Sequence, residues 1–130
     1  MTSKQEITIF WFRRDLRLQD NTALFYALNS KYPVLPIFIF DEAILNELPK
    51  DDPRVNFIHQ SLNKINEDLI ENNASLYIQK GEIATIWKSL LNKFNIKKVF
   101  FNKDYEPYAI KRDAEIYKLC IENNIQVHSY

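Results

Sequence analysis

Five short runs rich in Ile, Val, Phe and Tyr alternate with four segments of helical period, and that alternation limits this chain to few folds. "ITIFWF" (Ile7–Phe12), "VLPIFIFD" (Val34–Asp41), "SLYIQK" (Ser75–Lys80), "KKVFFNKD" (Lys97–Asp104) and "QVHSY" (Gln126–Tyr130) read as strands. Pro36 near the start of the second is a mild objection, because proline cannot donate to a ladder. Asp20 is a suitable N-cap for a short helix from Asn21 to about Asn29. Asp52 and Pro53 open a long helix whose Val55, Ile58, Leu62, Ile65 and Leu69 form one apolar stripe. Gly81, the only glycine, precedes a helix with Ile83, Ile86, Trp87, Leu90 and Phe94 on one face. Pro107 starts a last helix carrying Ile110, Ala114, Tyr117 and Ile121. Strands that alternate with helices imply a parallel sheet covered on both faces, joined by right-handed crossovers. The predicted fold class is α/β: a three-layer, Rossmann-like, doubly wound five-stranded parallel sheet in the order 3-2-1-4-5.

That order brings charged loops together. Strand 1 ends in Arg13, Arg14 and Asp15, strand 2 in Asp41, and strand 4 in "NKDYEP", Asn102 to Pro107. Ligands of open α/β sheets bind outside the carboxyl ends of the strands where the winding reverses, here between strands 1 and 4. Arg14, Asp41, Asp104 and Glu106 are therefore expected to converge, with Arg54 close by. No glycine-rich phosphate loop is present, which disfavours a dinucleotide or ATP cradle. Mixed acids and arginines suit a neutral, hydrogen-bond-rich heterocycle. A second reading stands beside it: the same charges pair with one another and hold strand ends together. Arg17 and Asp20 fit that structural reading better.

The totals exclude several classes. With 130 residues the chain fits one domain, 1–130, burying roughly 65–70% of its unfolded surface. Lys plus Arg and Asp plus Glu both number 17, and that balance argues against this domain as the main electrostatic contact to nucleic acid. One cysteine, Cys120, allows no disulfide framework and suits a reducing compartment. No signal region or membrane-length apolar run is seen, so a soluble, cytoplasmic protein is expected. His59 and His128 make no metal spacing, and no catalytic residue is assigned in this chain. Trp11, Trp87 and Cys120 read as core.

Four stretches carry a family resemblance. "WFRRDLRLQDNTAL" resembles the N-terminal signature of DNA photolyases and cryptochromes. "PIFIFDEAIL" is similar to that family's second strand, "RVNFIHQSLNKINEDL" to its long helix, and "FFNKDYEPYAIKRD" to its fourth strand and following helix start. The match runs in order along essentially the whole chain. It implies the antenna-binding α/β domain of a deoxyribodipyrimidine photolyase. Such an enzyme repairs cyclobutane pyrimidine dimers by light-driven electron transfer from reduced FAD. The helical domain that holds FAD and UV-damaged DNA would lie outside this chain, as its partner, and the fragment alone would not be a catalyst.

The resemblance also implies a chromophore pocket formed by Arg14, Phe38, Phe40, Asp41, Arg54, Val55, Asp104 and Glu106. The carboxylates would accept from ring or ribityl groups, Arg54 would clamp a ring face, and Phe38, Phe40 and Val55 would form the apolar wall. Asp41, Arg54 and Asp104 favour a deazaflavin or FMN inside this domain. A methenyl-tetrahydrofolate between domains, touched by Glu106, is the other antenna type. Tyr105 and Tyr108 are expected to flank the pocket or the surface facing the helical domain. An exposed apolar patch is expected at that surface. The alternative functions are the same domain of a cryptochrome photosensor, or a nucleotide-binding α/β module.

Overall fold

The computed structural model describes residues 4–13, 16, 18–41, 53–71, 76–104 and 106–130. Within them the elements run β1 (Glu6–Phe12), α1 (Thr22–Leu28), β2 (Val34–Asp41), α2 (Pro53–Glu71), β3 (Tyr77–Gly81), α3 (Ile83–Lys93), β4 (Asn95–Phe101), α4 (Pro107–Glu122) and β5 (Gln126–Ser129). The strands form one parallel sheet in the order β3-β2-β1-β4-β5, as the alternation predicts.

Alternate residues of β1 assign the layers. Ile7, Ile9 and Trp11 join Ile86, Trp87 and Leu90 of α3 and Ile116 and Cys120 of α4 in one core. Phe10 and Phe12 point the other way, into a second core with Ala23, Leu24 and Ala27 of α1 and Leu62 and Ile65 of α2. The period-two pleat of one buried strand thus feeds two apolar layers. Aromatic contacts tie each layer: Trp11 meets Trp87 edge-on at 5.4 Å between centroids, and Phe10 meets Phe12 at 4.6 Å. Pro36 is accommodated within β2, paired with Phe10 in the register.

Four local expectations need correction. The cap of α1 is Asn21, whose Oδ1 accepts from the Leu24 N–H at 3.1 Å. An N-cap needs extended backbone, which Asn21 has, whereas Asp20 sits at φ 50° in the left-handed region. β4 begins at Asn95 and ends at Phe101, not Asp104. The Asn102 side chain leaves the ladder to accept from the Ala23 N–H and donate to Asn21 Oδ1. On α4 the buried residues are Ala109, Ile116 and Cys120, while Ile110, Ala114, Tyr117 and Ile121 face out. The buried row 109-113-116-120 contains Asp113, so it looks broken in the sequence, but Asp113 has a partner on β1's exit. β3 also differs in its bounds and closes on Gly81, whose φ of 151° favours glycine.

Candidate functional site at the carboxyl edge of the sheet

The ladder between β1 and β2 ends at the pair Phe12–Phe38, but β2 runs on to Asp41, which pairs with Gly81 of β3. Phe40 and Asp41 therefore overhang the end of β1, at the edge where the winding reverses. The pleat separates them. Phe38 and Phe40 belong to the α1/α2 side, and the Phe40 ring stacks on His59 of α2 at 5.0 Å. Val55, half-buried, lies one turn before His59 on the same face of α2. Asp41, only 7% exposed, accepts a hydrogen bond from the Tyr108 hydroxyl in the first turn of α4.

The turn from β4 to α4 places two further carboxylates. Asp104 Oδ1 accepts from the Glu106 N–H at 3.1 Å, and Glu106 is the exposed N-cap residue of α4. Arg54 is the second residue of α2. Arg14, and with it Asp15, Arg17, Asp52 and Tyr105, lies outside the described residues. The edge thus carries an aromatic shelf (Phe38, Phe40, His59) on its α1/α2 side, Asp41 on the other face, and Asp104 and Glu106 in the turn into α4. Among the described residues this set could accept from a planar ligand carrying N–H or O–H groups.

Arg13 follows the structural reading. Its guanidinium pairs with Asp113 of α4, donates to the Asn102 carbonyl at 3.3 Å, and lies over the rings of Trp11 and Phe101 at 5.0 and 4.7 Å. Arg112 covers Trp11 at 5.1 Å and donates from Nε to Asp113 Oδ1 at 3.4 Å. Burial pushes the Arg13 pKa below its ordinary value, opposed by the bond to Asp113. Tyr108 moves from 10.0 to about 12, first through burial of its hydroxyl and then through Asp41. Burial likewise raises the Cys120 thiol to about 12 and, with Lys98, lowers His128. Among the described residues no His/Cys/Asp/Glu group could hold a metal ion, and no helix is long and apolar enough to cross a membrane.

Sequence reasoning left open or missed several of these residues. The sequence gives Tyr108 no partner, and nothing in its local pattern sets His59 against Phe40. Tyr108 and Arg112 stand four apart in "YAIKRD", a spacing that puts them on one helical face. Asn21 and Asn102, 81 positions apart, carry no local signal.

An open parallel sheet whose polar side chains gather where its winding reverses defines a Rossmann-like, doubly wound α/β domain. The DNA photolyase family model matches residues 8–130. Cryptochrome-1 of Aedes aegypti is 35% identical over 118 residues and cryptochrome-2 of Gallus gallus 32% over 120, covering 86% and 92% of this chain. An archaeal photolyase from Sulfolobus tokodaii, solved with two FAD molecules, superposes with a TM-score of 0.81 at 36% identity over 95% of the chain. A class III photolyase from Agrobacterium tumefaciens gives 0.85 at 26% identity over 100%. The chain belongs to the DNA photolyase family, as an N-terminal domain of the photolyase and cryptochrome kind. It spans 22% and 21% of the two cryptochromes and 29% and 26% of the two photolyases.

Proposed function

We propose that the chain is the antenna-chromophore domain of a deoxyribodipyrimidine photolyase and holds a deazaflavin or FMN at the carboxyl edge of its sheet. The observation that supports this reading is the overhang of β2: its last two residues carry the Phe40–His59 stack on one face and the buried Asp41 on the other, at the carboxyl edge of the sheet. A bound chromophore would harvest light, and this chain would supply the aromatic shelf and the acceptors that orient its ring. In this reading Phe38, Phe40 and Val55 would form the apolar wall, Asp41, Asp104 and Glu106 would accept from ring and hydroxyl donors, Arg54 would clamp a ring face, and Arg14 completes the proposed set. The FAD and the UV-damaged DNA belong to a helical partner domain. Exposed Phe25 and Leu28 on α1, and Ile110, Tyr117 and Ile121 on α4, are apolar surface of the kind such a partner would cover.

The test is a titration of the purified chain with a deazaflavin, FMN and methenyl-tetrahydrofolate, followed by absorption and fluorescence polarisation. Saturable binding of a tricyclic ligand is expected, and Asp104→Ala should weaken it at least tenfold, about 1.4 kcal/mol. Absence of tricyclic binding, or an unchanged Kd in Asp104→Ala, would overturn the site. The cryptochrome relatives support a second reading, in which the same domain serves a photosensor. Light-dependent dimer repair by a protein carrying both domains distinguishes the two.

A further inference from the structure

The Tyr108–Asp41 hydrogen bond joins residues 67 positions apart. Asp41 ends β2, Tyr108 lies in the first turn after β4, and β1 stands between those strands in the sheet. The bond therefore spans the carboxyl end of β1, at the edge where the winding reverses. Its acceptor is a buried carboxylate, and its donor is the most acidic hydroxyl among the side chains, so the bond is charge-assisted. Asp41 has other contacts as well, so the phenol is a partner it can exchange without being stripped bare. Tyr108 as a whole is 44% exposed, and a released hydroxyl returns to water rather than being left unsatisfied.

We propose that Tyr108 is a specificity-determining residue: its O–H holds the place of a ligand donor on Asp41, and only a donor about as acidic as a phenol takes that place. The imide N–H of a flavin or deazaflavin ring meets that condition. A ribityl or sugar hydroxyl, a far weaker acid, does not. A ligand then approaches Asp41 with the imide edge of its ring, trading one charge-assisted bond for another. This inference rests on that edge being the chromophore site, and it adds which ligand atom meets Asp41 and what it must displace.

The experiment measures the Kd of FMN and of N3-methyl-FMN, which lacks the imide proton, for the chain and for Tyr108→Phe, Asp41→Asn and the double variant. Tyr108→Phe removes one oxygen from a half-exposed ring, and a single cooperative thermal transition verifies its fold. FMN should bind Tyr108→Phe about tenfold more tightly than the parent chain, because a bond to a charged group no longer competes. N3-methyl-FMN should stay within about twofold, since it makes no claim on Asp41. In the Asp41→Asn background the phenol should lose its effect on FMN. FMN binding that Tyr108→Phe leaves unchanged or weakens would overturn the role of Tyr108 while the chromophore site stands. FMN binding by neither chain would overturn both.

Discussion

Arg13 and Asp41 both follow strand ends, yet the fold gives them different company. Arg13, with its side chain 5% exposed, is committed to Asp113, which also receives Arg112. Asp113→Ala would leave a buried guanidinium without its carboxylate, so a loss of about 3–5 kcal/mol in chemical denaturation is expected, with Asp113→Asn costing less. A loss below about 1 kcal/mol would mean that the pair is solvated. Asp41 counts a neutral donor, the Tyr108 hydroxyl, among its partners, and that bond has a pH signature. The Tyr108 phenol is raised from 10.0 to about 12, so the folded state favours its protonated form. Stability from this bond is full below about pH 10 and is lost as pH rises through about 12. The ultraviolet difference titration between the chain and Tyr108→Phe should place this phenol near 12, and Asp41→Asn should bring it down. Of this site the sequence showed the acids and the aromatics, because strand ends and turn motifs are local. It could not show that Asp41 meets Tyr108, because that contact depends on which face of the sheet the last residue of β2 takes.

Helix α4 shows how an element can be read correctly in extent and wrongly in orientation. It carries two rows one residue apart. Ile110, Ala114, Tyr117 and Ile121 form the unbroken apolar row, and Ala109, Asp113, Ile116 and Cys120 form the row that packs. The small Ala109 and Cys120 fit against the sheet, and Asp113 finds Arg13 there. Burial, rather than hydropathy, then sets the cost of substitution. Ile116→Ala should destabilise by about 2–5 kcal/mol, whereas Tyr117→Lys, at a position 52% exposed, should stay within about 0.5 kcal/mol. Equal costs at the two positions would contradict this orientation. α3 was legible without such ambiguity, since its single apolar row of Ile83, Ile86, Trp87 and Leu90 is the row that is buried.

At the scale of the molecule, the reversal of winding between β1 and β4 puts every named acid of the site on one edge of the sheet. The chain covers about a fifth to under a third of the relatives it matches. Under the proposed division of labour, illumination of the chain with DNA carrying pyrimidine dimers should leave the dimers intact, with or without bound FMN. Recovery of intact pyrimidines, read by chromatography, would place repair chemistry in this domain and overturn that division.

Period-two and period-3.6 patterns, a proline at the first turn of two helices and a single glycine at a strand end determined the element order and the doubly wound sheet. These are local properties, set by backbone sterics and by which side chains tolerate water. The strand register, the face that Asp41 takes, the pairing of Arg13 with Asp113 and the double-asparagine cap of α1 were decided by tertiary structure. Each joins groups between 67 and 100 positions apart or depends on a one-residue phase. Such choices are made only when the layers pack and each buried polar group must find its partner.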